Sequence, residues 1–320
     1  MKITAPLRAL LISALLFGYL TSCTSDKTVQ AEELSVAFWN VENLFDEYRN
    51  ALTKDEELLR SDQVSLKMKN DARVINQLDA DIIGLAEVEN LDLVRRLVDG
   101  YLSQRGYKHI ALIEGKDTRG IDVALISRHP FLATTIDIPG FSRDILAARF
   151  SIKGQPFYVV VNHWKSRLQG GEKVRIRSAK VAADFVKNTV RQYEGKSVPV
   201  ILLGDFNDTP ADQSLKYLEE QGLTNTMLSI PKAKRWTLGY YNRDSKKMEL
   251  MCFDQIIINP EAKSGTIIRW KKTSVVRPSY MISRRKISGV NHALPLDDYK
   301  DRIGYSDHFP VIATFELMGK

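Results

Sequence analysis

Two short stretches put a carboxylate beside a second polar side chain at a point where a strand should run out: Gly204-Asp205-Phe206-Asn207 and Ser306-Asp307-His308. The first follows the apolar run Val198-Pro199-Val200-Ile201-Leu202-Leu203, which reads as a strand covered on both faces. An aspartate at the carboxyl end of such a strand presents an oxygen to a metal ion or a reacting phosphate. Glu87 leaves a similar run, and a carboxylate in that position needs a cation or a hydrogen-bond partner. His163 closes an apolar strand and is followed by Lys165 and Arg167, a cationic pair of the kind an anion needs. Asp254 opens the run Gln255-Ile256-Ile257-Ile258, and Asn40 stands where the first strand should end, a position where a lone asparagine is most often a turn former. Asp205 and Asn207, two apart, face the same way in extended geometry, whereas Asp307 and His308, as neighbours on a strand, point oppositely.

Together these are hard oxygen donors with two imidazoles, without a thiolate or a His-x-x-x-His pair. Such a set favours Mg²⁺, Mn²⁺ or Ca²⁺ over a structural zinc. A hard divalent ion with a histidine acid–base partner and basic side chains points to phosphoryl chemistry.

The elements that must position these groups alternate between strand and helix. Residues 34–40 alternate in polarity and predict the first strand. Residues 66–79 carry Met68, Ala72, Ile75 and Leu78 at helical spacing. Residues 81–88 read as a buried strand, 91–102 as a helix, 121–127 and 157–163 as strands, and 172–193 as a long helix feeding the strand that ends at Asp205. Thr209-Pro210 with Asp212 reads as a helix start. Strands over 253–258, 267–270 and 309–315 complete an α/β chain with a mixed sheet.

The series Trp39-Asn40-Val41-Glu42-Asn43-Leu44-Phe45, Glu87, Arg119-Gly120-Ile121-Asp122-Val123-Ala124, Asn162-His163, Gly204-Asp205-Phe206-Asn207, Asp254 and Ser306-Asp307-His308 resembles the endonuclease/exonuclease/phosphatase superfamily, in family order over residues 34 to 316. The resemblance implies a four-layer α/β sandwich, two mixed sheets packed face to face with helices outside. It implies that Glu87 is the principal metal ligand, with Asn40 and Asp307 near the same ion. Asp205 would orient or deprotonate the attacking water, Asn207 would hold it in line, and His163 and His308 would bracket the phosphate. Asp254 would pair with His308. Asp122 departs from the small residue common in that strand, and either pairs with His163 or is solvated.

The bulk numbers frame the setting. The chain has 320 residues and a formal charge of +7, a modest excess that tolerates a polyanionic substrate without demanding one. Lys2 and Arg8 precede an apolar run over 9–20, of secretory length and short for a membrane span. Leu20-Thr21-Ser22-Cys23 resembles the lipobox of bacterial lipoproteins. Residues 1–22 are thus expected to be a signal peptide, 23–33 an acylated tether held to a membrane through Cys23, and 34–320 one domain. Thr24 after the acylated cysteine fits transfer to an outer membrane and display at the cell surface. With Cys23 given to lipid, Cys252 is left alone in an apolar run, which excludes a disulfide framework. Nothing implies a protein partner, and a monomer is expected.

The substrate class rests on two segments. Residues 232–247 interleave Lys232, Lys234, Arg235, Trp236, Tyr240, Tyr241, Arg243, Lys246 and Lys247, and residues 284–286 are Arg284, Arg285 and Lys286. Basic groups with aromatics suit a nucleic-acid backbone and unstacked bases, though a solvated loop has the same composition. The segment Asn162-His163-Trp164-Lys165-Ser166-Arg167 is similar to that of secreted bacterial nucleases of this superfamily, and that resemblance implies DNA or RNA as the substrate, with Lys165, Arg167, Arg119 and Trp236 as substrate-binding residues and Mg²⁺ or Mn²⁺ as the cofactor. Two alternatives stand beside a surface endonuclease: a phosphatase or lipid-headgroup phosphodiesterase on the same fold, and a non-enzymatic surface binding protein with a decayed site.

Overall fold

The computed structural model describes residues 32–48, 59–167, 170–242, 245–287, 290–296 and 304–318. The leader, Cys23 and nearly all of the tether lie outside the described residues, as does Arg243.

In chain order the elements are β1 (Glu33–Leu44), α1 (Ser61–Leu78), β2 (Ile82–Val88), α2 (Leu91–Tyr101), β3 (His109–Ile113), β4 (Asp122–Ser127), β5 (Phe131–Ile136), β6 (Ile145–Ile152) and β7 (Gln155–His163). There follow α3 (Glu172–Asp184), a π turn (Phe185–Thr189), α4 (Val190–Glu194), β8 (Val200–Asp205), α5 (Gln213–Glu220), β9 (Thr224–Asn225), β10 (Leu238–Asn242) and β11 (Lys247–Met251). The chain closes with β12 (Asp254–Ile258), α6 (Pro260–Ser264), β13 (Ile268–Val275), β14 (Ile282–Ile287), β15 (Val290–Pro295) and β16 (Val311–Leu317).

Two six-stranded mixed sheets result, in the orders β13-β16-β1-β2-β4-β3 and β5-β6-β7-β8-β12-β9, with β10-β11 and β14-β15 as separate hairpins. The two-residue period of a strand decides the layering. Along β1, Leu34, Val36 and Phe38 enter the core between the sheets, while Ala37, Trp39 and Val41 face a second core with Val64, Met68 and Ile75 of α1 and Leu93 and Leu97 of α2. On the other sheet Val159, Val161, Ile201 and Leu203 point inward. Val160 and Leu202 point out, to Ala179, Ala182, Phe185, Leu215 and Leu218 of the second helical layer. The fold is the expected four-layer α/β sandwich.

Several local expectations need correction. β1 does not stop at Asn40 but runs on to Leu44 through a break in its pairing with β2. Thr209-Pro210 does not start a helix; α5 begins after Asp212, whose carboxylate instead accepts from the Thr209 N–H and hydroxyl. Of the basic, aromatic segment 232–247, Lys232–Lys234 form a short 3₁₀ turn and Leu238–Asn242 pair with Lys247–Met251 as β10 and β11, so its described residues are not a loose loop. Cys252 is buried, and burial pushes its thiol up to about 12.

Candidate active site

Register alone gathers three side chains at one rim. The parallel pairing of β7 with β8 sets His163 opposite Asp205, and the antiparallel pairing of β8 with β12 sets Asp205 opposite Asp254. Asn40 reaches them from the facing sheet, its Nδ2 donating to Glu87 Oε1 and to Asp205 Oδ2, both at 3.2 Å. The amide thus bridges two carboxylates across the core. Its Oδ1 accepts from the Glu42 N–H at 3.0 Å, so ligation through that oxygen would require the amide to turn.

Backbone conformation supplies the rest. Glu42, Asn43, Glu87 and Asn207 all have left-handed φ, between 51° and 64°, a region that costs a non-glycine residue roughly 1–2 kcal/mol. At Glu87 the pairing of β2 with β4 slips by one residue, a bulge that re-aims the carboxylate. The Asn43 N–H then donates to Glu87 Oε2 at 3.2 Å. Asn207 converges on Asp205 through its left-handed turn and not through extended geometry. Its N–H donates to Oδ1 at 2.9 Å, and its Nδ2 to Oδ2 at 3.2 Å and to Trp164 O at 3.1 Å. Burial pushes Asp205 up to about 7; His308 opposes this, and Asp254 and Glu87 add to it.

Residues 306–309 lie ahead of β16 rather than on it, so Asp307 and His308 are not directed apart: Asp307 Oδ1 is 3.7 Å from His308 Nε2. His308 Nδ1 donates to Asp254 Oδ2 at 2.7 Å. Burial alone would lower the imidazole, but Asp254, Asp307 and Asp205 outweigh it and hold His308 well above its ordinary value, as imidazolium. The loop is fixed by Trp39 Nε1–H to His308 O at 3.0 Å and by Ser306 Oγ–H to Asn40 O at 2.6 Å. Thr237 is fully buried at the root of the β10-β11 hairpin. Its Oγ1 accepts from the Asp254 N–H at 3.3 Å, and its carbonyl from the Phe309 N–H at 2.8 Å.

His163 is the opposite case. Arg143 Nη1 donates to its Nε2 at 3.0 Å, and because a guanidinium only donates, that nitrogen carries the lone pair. Burial first, then the charges of Arg143, His308 and Arg119, hold His163 well below its ordinary value, so it is neutral. Its Nε2 stands 3.7 Å from both Glu87 Oε1 and Asp205 Oδ2, beyond hydrogen-bond range. Arg143, buried at 5% exposure, is anchored by Nε to Asp117 Oδ2 at 2.8 Å. Neither residue was read from the sequence; the only signal was a lone Arg-Asp pair ahead of β6. Asp122 does not pair with His163 and is not solvated. It accepts from the Gly115 N–H at 2.9 Å, and burial pushes it up to about 7.

The four expected substrate-binding residues divide. Arg119 is half-exposed at the rim, donating to Asn43 Oδ1 at 2.7 Å and standing 3.8 Å from Glu87 Oε2. The Lys165 ammonium has no partner among the described residues and neighbours His163 in sequence. Arg167 is spent on the fold: it pairs with Asp212 and Asp208, donates to Asn207 O and lies over Phe253. Trp236 packs edge-on to Phe309 at 5.6 Å, with the Arg277 guanidinium 4.5 Å from its ring. Both contacts have one cause: a cation or ring next to the site in sequence is the nearest group able to neutralise an acid or cover the His308 loop.

Among the described residues no three His, Cys, Asp or Glu side chains form a ready-made cage for an ion. That is not the requirement for a small hard cation, which takes one or two carboxylates and keeps several waters. Glu87, with Asp205 across the Asn40 amide, meets that requirement with carboxylate oxygens and no thiolate, and Asn40 would add an oxygen once its amide turns.

Residues 35–317 match the Endonuclease/Exonuclease/phosphatase family, and the chain belongs to it. Members of this family are phosphoesterase hydrolases and generally depend on a divalent metal; the protein is a hydrolase of phosphate esters. The fold is similar to that of D. rerio TDP2 complexed with single strand DNA product (18% identity, TM-score 0.61, 89% of this chain and 99% of that one). It is also similar to a mannosyl-6-phosphatase from Bacteroides thetaiotaomicron VPI-5482 (18%, 0.59, 89% and 100%). An endonuclease/exonuclease/phosphatase family protein from Bacteroides thetaiotaomicron is a third (18%, 0.59, 91% and 100%). At these identities the likeness establishes the fold. No curated protein matches the chain.

Proposed function

We propose that the protein is an exported phosphodiesterase, anchored to a membrane through acylated Cys23, that cleaves DNA or RNA with Mg²⁺ or Mn²⁺. The observation that carries the chemistry is the convergence at one rim of His308, hydrogen-bonded to Asp254, and Asp205, hydrogen-bonded to Asn207 and Asn40. His308, charged through Asp254, is a proton donor; Asp205, raised to about 7 and held by Asn207 and Asn40, is poised to take a proton near neutrality. In this reading Asp205 accepts the proton of the attacking water, with Asn207 fixing the carboxylate plane. His308 donates to a phosphate oxygen. His163, neutral and locked by Arg143, holds a fixed orientation between Glu87 and Asp205. Glu87, beside Asn40, would hold the cation, with Asp307 joining them as the family resemblance implies. When bound, that cation neutralises non-bridging phosphate oxygens and the leaving alkoxide.

Support for a nucleic-acid substrate comes from the unpaired Lys165, from Arg119 at the rim, and from exposed Lys232 and Lys234 on the turn leading to Thr237. The likeness to a TDP2 complexed with single strand DNA product accords with this. A sugar-phosphate monoester is the second reading. It is favoured by the loss of Arg167 and Trp236 to the fold and by the likeness to a mannosyl-6-phosphatase. A panel of plasmid DNA, RNA, sphingomyelin, inositol phosphates and mannose 6-phosphate, each with EDTA, Mg²⁺ or Mn²⁺, separates them. The proposal expects EDTA-sensitive cleavage of nucleic acid, restored by either ion. Turnover of the monoester or lipid alone would overturn the nuclease reading.

A further inference from the structure

Lys67 sits on α1, in none of the residue sets named so far, yet its side chain is 1% exposed. All three donors of its ammonium are used: Asp71 Oδ1 at 2.9 Å one turn along the helix, Val41 O at 2.5 Å, and Tyr305 O. The Trp39 ring lies 5.8 Å from the ammonium, and it is Trp39 that donates to the His308 carbonyl.

The two carbonyls belong to the two segments that meet at the rim. Val41 follows Asn40 and precedes the left-handed pair Glu42-Asn43, whose second residue donates to Glu87. Tyr305 precedes Ser306-Asp307-His308. A buried ammonium is costly to desolvate, and an apolar side chain would fill the same space without that cost. What the ammonium adds is a hydrogen-bonded tie between two loops that share no strand pairing at these positions. Ser306 Oγ to Asn40 O is a second tie between the same segments.

We infer that Lys67 is a positioning residue for the phosphoester reaction: it sets the spacing between the β1 bulge beside Glu87 and the loop that carries Asp307 and His308. This rests on the phosphoesterase reading of that rim. Neither carbonyl can be re-satisfied from water at this burial, so losing the ammonium frees both loops together.

Lys67→Met alone takes the Lys67 ammonium from the buried Asp71 carboxylate and confuses folding with positioning. The double variant Lys67→Met/Asp71→Asn removes both charges. It is expected to recover most of the denaturation midpoint lost by the single variant. Its kcat on bis-(p-nitrophenyl) phosphate should stay about 10²-fold below the parent, with KM nearly unchanged, as a displacement of about 1 Å at the reacting groups would give. Lys67→Arg, which keeps buried donors, should recover part of kcat. Parental kcat in the folded double variant overturns the inference. A second readout needs no turnover: the Nδ1 proton that His308 shares with Asp254, followed by NMR, should shift or broaden in the double variant. If the parent protein cleaves no substrate in the panel, the phosphoesterase reading fails. The NMR comparison then decides Lys67 alone, and an unchanged resonance overturns the inference.

Discussion

At the scale of single residues, the site depends on two buried imidazoles held in opposite directions, His308 up and His163 down, beside a buried carboxylate, Asp205, that is pushed up. Asp205→Ala removes the group raised to about 7, and His308→Ala removes the cation that Asp254 maintains. Each should lower kcat by at least about 10²-fold, the usual scale for a proton-transfer or charge-stabilising group. Near-parental turnover in either folded variant would remove that residue from the mechanism. Asp122 gives a separate prediction for stability. Its folded pKa, about 7, lies above the roughly 3.9 of an unfolded aspartate. The folded state therefore binds the extra proton, and Asp122's contribution is full below about pH 4 and is lost as pH rises through 7, by about 2–4 kcal/mol. The charged groups around it are Asp117, Glu114 and Arg143, the last opposing the shift. Asp122→Asn keeps an acceptor for the Gly115 N–H and cannot ionise. Urea midpoints at pH 5 and pH 8 should show the variant gaining on the parent as pH rises; an equal difference at both pH values would refute the assignment.

Elements determine what could be read in advance. Asp205, Asp254 and His163 were legible because each terminates or opens an apolar run, and parallel or antiparallel register carries such ends to one edge. Asn207 and Glu87 reach the site by left-handed turns, which leave no mark in hydrophobic periodicity. Arg143 reaches His163 only through the β5-β6-β7 topology; β3 was missed because its apolar run, residues 110–113, is only four residues long and half-buried, and β5 because most of its residues are exposed. β6 was missed for its low β-propensity: Ala147-Ala148-Arg149 interrupts it. β7 and β8 approach closely at Gly204, where a Cβ would stand 2.2 Å from Asn162 O and 2.7 Å from Asn162 Cβ. Because the obstacle is backbone, β7 and β8 must part, one residue before both His163 and Asp205. Gly204→Ala should destabilise by roughly 1–3 kcal/mol and lower kcat further than that loss explains. Gly100, in α2 with open space around it, is the control, and its alanine variant should be neutral or more stable by about 0.5–1 kcal/mol. Equal behaviour of the two variants would dismiss the close-approach argument.

For the molecule as a whole, strand direction relates the site to the point where the chain enters the sandwich. β1 begins at Glu33 and delivers Asn40 seven residues later, a rise of about 23 Å at roughly 3.3 Å per residue. The entry point, where Leu317 N donates to Glu32 O and Lys153 pairs with Glu32, is at the rim opposite the acids and imidazoles. The proposed anchoring through Cys23 would join the domain from the rim opposite its catalytic edge, which suits a soluble polyanion better than the headgroups of the same membrane. Under that proposal Cys23→Ala should release the protein from the membrane fraction while leaving kcat and KM on a soluble diester within about twofold. Fractionation with labelled palmitate, followed by turnover of bis-(p-nitrophenyl) phosphate, checks both halves. A variant that stays with the membrane would end the lipid-anchor proposal. A released variant that has lost turnover would mean the membrane does more for this edge than hold the tether.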